Sequence, residues 1–382
     1  MTEWKQYKLG DLTIDGKGSY GIAAPAVDYD SDKYTYLRIT DINDDGTLNK
    51  NGLKSVDDKN ASKYLLQQND IVFARTGASV GRSYFYDERD GELVYAGFLI
   101  KYSIDPSKVN PKILKFYTHS QAYYDWIQTV DNGATRGNIN AQTYASMPII
   151  LPDRQVQDKI ASILTSLDDK IDLLRRENAT LEAMAETLFR QWFVVEAKEE
   201  WEEIGFGEAI DVYDSRRKPL SKMERDKMKN GNTLYPYYGA AEIMDYIDSY
   251  LFDGEYILMG EDGTVKTDDG YPILQYATGK FWPNNHAHVL QAKPPYNNCF
   301  VWNYLRTTNI ESIVTGAVQP KINQANLLSL PFYKYPIELV CKYIMITRDW
   351  WTKKLNNNKQ IQTLIQTRDG LLERLMSGEI KV

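Results

Sequence analysis

At 382 residues the chain exceeds one ordinary domain of about 150 residues. Its 45 Lys and Arg against 52 Asp and Glu give a net charge of −7, which excludes coating of nucleic acid by bulk positive charge but leaves room for a local basic groove. The 43% apolar and 25% charged composition is that of a globular protein, two cysteines exclude a disulfide framework, and 3 His against 28 Tyr argue against imidazole-based chemistry.

In chain order, residues 1–7 carry no basic-then-apolar signal, and no apolar run reaches the roughly 18 residues of a membrane span, so a cytoplasmic protein is expected. Trp4 with Leu9-Gly10-Asp11-Leu12 returns as Trp201 with Phe206-Gly207-Glu208-Ala209, an offset of 197. Short runs rich in Tyr, Ile, Thr and Val, such as Tyr34-Thr35-Tyr36-Leu37-Arg38-Ile39, predict strands broken by Gly, Asp, Asn and Pro loops. Residues 70–77 predict a buried strand closed by a Gly turn and are echoed at 255–263. Residues 133–148 match 316–331 without a gap at an offset of 183, with six of sixteen positions identical. The chain reads as a tandem duplication of about 190 residues.

After Leu151-Pro152 the period changes. Ile160, Leu164, Leu167, Ile171, Leu174, Asn178, Leu181, Ala185, Leu188 and Trp192 follow the four-three spacing of a heptad seam. The helix this predicts would be about 50 Å long, more than a small domain covers. Ile361, Leu364, Arg368, Leu371 and Leu375 offer a second seam, with Lys354 and Asn357 making its upstream part more polar. Residues 153–196 hold 6 basic and 9 acidic side chains, whereas 335–382 hold 8 and 5. Opposite charge favours pairing of the two helices with each other, with Asn178 either a register-fixing polar residue or a tolerated exposed position. The other reading is an amphipathic helix packed on each domain separately.

Catalytic patterns fail one after another. Gly10 with Gly16-Lys17-Gly18-Ser19 has the wrong spacing for a phosphate-binding loop. Pro152-Asp153 with Asp168-Asp169-Lys170 formally matches a metal-dependent nuclease, but lies at the start of a predicted helix rather than on converging strands. His286-Ala287-His288 is read as a loop pair with no acidic cluster beside it, so no metal is expected. Lys293-Pro294-Pro295-Tyr296 resembles the loop by which amino-methyltransferases hold a flipped base, except that Lys293 is a donor and cannot accept from the base's amino group. Catalysis by this chain alone is not expected.

Taken as an ordered set, residues 4–12, Gly18-Ser19-Tyr20-Gly21-Ile22-Ala23, Tyr36-Leu37-Arg38-Ile39-Thr40-Asp41-Ile42, 70–81 and 133–148 make up one half. In the second half stand Tyr235-Pro236-Tyr237-Tyr238-Gly239-Ala240, residues 316–331 and the helix end Leu371-Leu372-Glu373-Arg374-Leu375-Met376-Ser377-Gly378. Over essentially its whole length the chain resembles the specificity subunit of type I restriction-modification systems. The fold expected is α+β: two tandem strand-rich target-recognition domains (1–152 and 197–334), each followed by a long helix (153–196 and 335–382), the helices pairing as an antiparallel coiled coil with pseudo-two-fold symmetry. The resemblance implies a non-catalytic subunit that reads a bipartite, asymmetric double-stranded DNA target. It also implies docking of two DNA methyltransferase subunits on the helical spacer, to which restriction subunits can be added. S-adenosylmethionine, ATP and magnesium would then sit on partner subunits and none on this chain.

The candidate DNA contacts are polar loops just before each long helix: Arg136, Asn138, Asn140 and Gln142, and their counterparts Gln319, Lys321 and Asn323. Arg, Asn and Gln make bidentate contacts to purine edges; as plain turn residues they would face solvent. The basic stretch Arg216, Arg217, Lys218, Lys222, Arg225, Lys227 and Lys229 is a second candidate, for phosphate, with Glu224 and Asp226 weakening it. Lys17, Arg75 and Arg82 fit similar roles in the first half. The competing class is a coiled-coil scaffold that binds protein instead of DNA.

Overall fold

The structure, a computed structural model, describes residues 4–131, 138–231, 233–316 and 319–382. Arg136 lies outside the described residues. In the first half the elements are β1 (Lys5–Lys8), β2 (Ser19–Tyr20), β3 (Ala26–Val27), β4 (Thr35–Leu37), β5 (Lys54–Val56), β6 (Asp70–Ala74), β7 (Ser83–Phe85), β8 (Leu93–Tyr95), β9 (Leu99–Ser103), α1 (Pro111–Tyr117), α2 (Gln121–Asp131), α3 (Ala141–Ala145), β10 (Pro148–Leu151) and α4 (Arg154–Phe189). The second half holds β11 (Glu203–Gly205), β12 (Ile210–Val212), α5 (Lys222–Lys227), β13 (Tyr235–Tyr238), β14 (Ile243–Ile247), β15 (Phe252–Gly260), β16 (Leu274–Pro283), β17 (Ala287–Ala292), α6 (Asn298–Thr307), α7 (Gln324–Leu328), β18 (Pro331–Tyr333) and α8 (Ile337–Met376). This is the expected α+β order, with strand-rich stretches each followed by a long helix. Two compact units result: Met1–Leu173 with Ile361–Val382, and Leu174–Gln360. Both α4 and α8 therefore contribute a segment to each unit.

The duplication is visible in strand register. In the first unit β1 pairs antiparallel with β10, Lys8 opposite Pro148; in the second β11 pairs with β18, Gly205 opposite Pro331. These partners keep the offsets of 197 and 183 read from sequence. Each half thus ties its first strand to the strand that leads into its long helix. The next residue repeats the link, Leu9 N–H donating to the Met147 carbonyl and Phe206 N–H to that of Leu330.

Unit 1 has two four-stranded sheets, ordered β2-β9-β6-β7 and β3-β5-β4-β8. β6 is buried at every position, and its Asp70 carboxylate is satisfied by Lys101 at 3.0 Å and Ser103 Oγ at 2.6 Å, as a buried charge requires. The core joins Leu9, Phe73, Tyr102, Tyr123 and Tyr144 to Ile160 and Leu164 of α4 and to Leu372 and Leu375 of α8. Asp168 on α4 lies between Arg368 of α8 (2.9 Å) and Lys115 of α1 (2.6 Å). Burial acts to raise its pKa, but the two cations outweigh burial and hold the carboxyl below its ordinary value.

Unit 2 is built on one six-stranded sheet, β12-β17-β15-β16-β13-β14, antiparallel apart from the β13–β16 pairing. Its aromatic core, including Phe206, Phe300, Phe332 and Tyr343, takes in Phe189 and Phe193 from the end of α4. Within this unit α4 and α8 run antiparallel. The Asn357 amide, fully buried, donates to Asn178 Oδ1 (2.9 Å) and Glu177 Oε2 (2.7 Å), while the Asn178 amide donates to Asn358 Oδ1 (2.7 Å). Lys354 meets the Glu182 carboxylate and stacks 4.1 Å over the Trp351 ring. In the pairs Asp168–Arg368, Glu177–Lys353 and Glu182–Lys354 the acid is on α4 and the base on α8, the sense of the charge asymmetry in the sequence.

None of the predicted seam residues Ile160, Leu164, Leu167, Ile171, Leu174, Asn178, Leu181, Leu188, Ile361, Leu364, Leu371 and Leu375 is fully exposed. The frame slips at the ends, however: Phe189 and Phe193 are buried more deeply than Leu188 and Trp192, and Leu372 more deeply than Leu371. A helix of 3.6 residues per turn drifts about 20° per heptad, and at these ends the stripe faces a domain core instead of one partner helix. Beyond Phe189, α4 continues as a π-helical turn, Arg190–Val195.

Leu375→Ala should destabilise unit 1 by about 2–5 kcal/mol in urea denaturation, although residue 375 lies far from that unit's strands in sequence. His119 gives a pH signature. Burial first, then Arg368 and Lys115, lower its pKa from 6.5 to about 4, so the unfolded chain takes up its proton before the folded one does. Stability should fall as pH drops from about 6.5 and level off below about 4, by up to about 2 kcal/mol once its partial exposure is discounted. His119→Gln should flatten that window in thermal melts.

Candidate nucleic-acid interface

In unit 1 the loop before α3 is clamped against the end of β6. Ile139 N–H donates to the Arg75 carbonyl at 2.9 Å, Thr76 and Asn138 form a β-bridge, and Gly77 turns the chain at φ +74, a conformation glycine adopts without strain. Ile139 is buried, so Asn138 and Asn140 on either side face solvent. Arg75 Nε donates to Asn138 Oδ1 at 3.4 Å, and its guanidinium lies 5.0 Å over the ring of Tyr20. The Tyr20 hydroxyl in turn accepts from Ala141 N–H at 3.1 Å. Arg75, Asn138, Asn140, Gln142 and Tyr20 thus stand together as a cation on an aromatic shelf beside exposed amides, a set able to meet both phosphates and base edges.

Tyr20 was not among the candidates. Its signal was an exposed aromatic beside Gly18 and Gly21, which sequence does not separate from a core tyrosine. The Asn140 side chain is partly engaged, because its Oδ1 accepts from Thr143 N–H and caps α3; its amide donors remain for a ligand. Lys17 is exposed in the loop before β2. Arg82 does not join this group: its guanidinium pairs with Asp44 at 2.6 Å and donates to the Ile42 carbonyl.

Unit 2 repeats the backbone and changes the charge. Ile322 N–H donates to the Glu261 carbonyl at 2.8 Å, Asp262 and Lys321 form the bridge, Gly263 turns at φ +79, and Asn323 caps α7 through Asn326 N–H. Glu261 therefore stands where unit 1 has Arg75. Gln319, Lys321 and Asn323 are exposed, and the Lys321 ammonium lies 3.5 Å from Glu261.

Two expectations are corrected here. His288 is on strand β17 and not in a polar loop, and folding brings Asp214 and Glu261 beside it, an acidic cluster that sequence distance concealed. The basic stretch is not a uniform phosphate-facing row. Arg217 is turned inward, its side chain 11% exposed and bonded to Glu261 and to the Ala287 carbonyl. Arg225 and Lys229 both bind Asp245, and although burial works against them, they keep that carboxyl below its ordinary pKa. Arg216 stacks 4.4 Å over Phe252 and donates to the Leu251 carbonyl, leaving Lys218, Lys222 and Lys227 exposed. The local reason is the intervening acids: a guanidinium near carboxylates lowers its energy by pairing before it meets any ligand.

Among the described residues no helix is long and apolar enough to cross a membrane. The profile of the family described as "Type I restriction modification DNA specificity domain" matches this chain over residues 1–183 and again over 198–337. A Haemophilus influenzae protein named as a type I restriction enzyme specificity subunit is 35% identical over 147 residues, 38% of this chain and 36% of that one. The type I restriction enzyme HindI specificity subunit of the same organism is 28% identical over 204 residues, 51% of this chain and 41% of that one. The MjaIX specificity subunit of Methanocaldococcus jannaschii is 23% identical over 286 residues, 68% and 66% of the two chains. The chain therefore matches less than half the length of the first two relatives and about two thirds of the third. The crystal structure of a type I restriction-modification system S subunit from M. genitalium shares the fold at a TM-score of 0.53 and 17% identity, over 98% of this chain and 96% of that one.

Asn140→Ala and Asn323→Ala should each remove a helix cap and cost about 1 kcal/mol in denaturant titrations. A loss near zero would mean that the caps are dispensable and the asparagines are held there for another reason.

Proposed function

The chain belongs to the family of type I restriction modification DNA specificity domains, and on that premise we propose that it is a non-catalytic specificity subunit whose two strand-rich halves each read one part of a bipartite DNA target. The observation that carries this reading is the duplicated loop: one backbone frame, Ile139 on Arg75 and Ile322 on Glu261, presents different side chains in the two units. Equal frames suit the same task on the same kind of ligand, and unequal side chains suit unequal half-sites. In unit 1 the half-buried Arg75 and the exposed Asn138, Asn140 and Gln142 have donors and acceptors for purine edges. In unit 2 Gln319, Lys321 and Asn323 take that place, and Lys17, Lys218 and Lys222 fit phosphate contact.

The α4–α8 pairing serves in this proposal as the spacer between half-sites and as the platform on which two DNA methyltransferase subunits dock, with restriction subunits joining them. S-adenosylmethionine, ATP and magnesium belong to those partners. The net charge of −7 suits a subunit that binds DNA weakly alone and firmly when partners supply positive charge.

Binding of the chain with its methyltransferase partner to target duplex should weaken about a hundredfold between about 50 and 200 mM salt, as about four phosphate contacts imply. Binding without sequence preference and without salt loss would instead support a protein scaffold. Methylome sequencing of the host with and without the gene would define the target. Because Asn178 and Asn357 face each other, a longer spacer needs four residues inserted at both positions. That adds about 6 Å of helix and should widen the gap between half-sites by about two base pairs while leaving each half-site sequence intact. An unchanged gap would show that the helices do not measure the distance.

A further inference from the structure

We propose that Asp214, Arg217, Glu261 and His288 form a positioning network that holds the second recognition loop, residues 319–323, in the shape in which it meets DNA; this rests on the DNA-reading function above. Asp214 comes from the turn after β12, Glu261 from the residue after β15, and His288 from β17. Their ligand atoms lie within 4.8 Å of one another. Two carboxylates in so enclosed a place need a countercharge, and Arg217 supplies it. Its Nη1 donates to Glu261 Oε2 at 2.5 Å and to the Ala287 carbonyl at 2.7 Å, its Nε donates to the Asp214 carbonyl at 3.1 Å, and Nη2 lies 3.5 Å from the Asp214 carboxylate. Asp214 also accepts from Val289 N–H at 2.9 Å, which anchors it to β17.

Two hydrogen bonds and one ion pair run from this frame to the loop, the ion pair being Glu261 with Lys321 at 3.5 Å. His288, whose Nδ1 lies 2.6 Å from Asp214, donates from Nε2 to the Ile322 carbonyl at 2.9 Å, and Ile322 N–H donates to the Glu261 carbonyl at 2.8 Å. A residue held at both its N–H and its C=O loses freedom at φ and ψ together. Ile322 is fully buried, so fixing it fixes the outward direction of Lys321 and Asn323, its exposed neighbours. Unit 1 shares the bond from Ile139 N–H, but there Arg75 occupies the place of Glu261 and its guanidinium turns to Tyr20. The two loops have one backbone anchor in common and different side-chain support. A defect in the network should therefore reach one half-site and spare the other, which a general loss of stability would not do.

The experiment uses the full chain assembled with its methyltransferase subunits, a duplex library randomised separately in each half-site, and sequencing of the methylated products, with thermal melts in parallel. His288→Gln keeps polarity but cannot bridge Asp214 and the Ile322 carbonyl. It should lower discrimination at the half-site read by unit 2 about tenfold, with the other half-site unchanged. Glu261→Gln should loosen the same half-site and serves if the first variant fails to assemble. Unchanged discrimination in an assembled variant, equal loss at both half-sites, or failure of both variants to assemble would each overturn the positioning role. A wild-type complex without sequence preference would overturn the recognition reading and this proposal with it, whereas a selective wild type with unaffected variants defeats the network alone.

Discussion

Each unit of this protein depends on helix segments drawn from distant parts of the sequence. Leu372 and Leu375, near the end of the chain, fill the core of unit 1, and Phe189 and Phe193, from the helix that follows the first strand-rich half, fill the core of unit 2. The constraint is elementary: a helix of 36 or 40 residues carries an apolar stripe longer than one small domain can bury, so each stripe is divided between two cores and a partner helix. Neither half of the duplicated sequence is a closed folding unit. The β1–β10 and β11–β18 pairings make the same point locally, since each brings the start of a half to the base of its long helix.

The helix seam is polar where it carries most information. Asn178, Asn357, Glu177, Glu182 and Lys354 sit in or beside a buried stripe and bond across the two helices, leaving the buried Asn357 Oδ1 without a partner. A purely apolar seam would tolerate a slide by one turn; a slide here would strand buried amides and charges, at about 1–3 kcal/mol for each unpaired group. Register specificity is the best attested use of such residues, and a spacer that measures DNA would need it.

Charge also has to be read locally. The net value describes none of the parts: the candidate loop of unit 1 carries Arg75 over an aromatic ring, whereas the matching place in unit 2 carries Glu261, already neutralised by Arg217. Seven basic residues within fourteen suggested a phosphate-binding row. Folding places Asp214, Asp245 and Glu261 among them and engages Arg217, Arg225 and Lys229 inside the unit. The family match fits the duplicated architecture, and the two loops share a backbone frame while differing in side chains at Arg75 and Glu261.

Sequence alone determined the duplication with its two offsets, the long helices, the polar Asn178 in the seam and the absence of a familiar catalytic pattern. These are properties of period, spacing and residue type, and they survive without knowledge of contacts. Loop candidates such as Asn138, Asn140 and Lys321 were legible because caps and turns leave local signatures. Tertiary structure alone decided which cations are free, that Tyr20 supports Arg75, that Asp214 and Glu261 converge on His288, and where Phe189 and Phe193 replace Leu188 and Trp192 as the buried positions. Each of these depends on groups well separated in sequence meeting within a few ångströms, as His288 and Asp214 do across a separation of 74, and a linear pattern carries no record of such meetings.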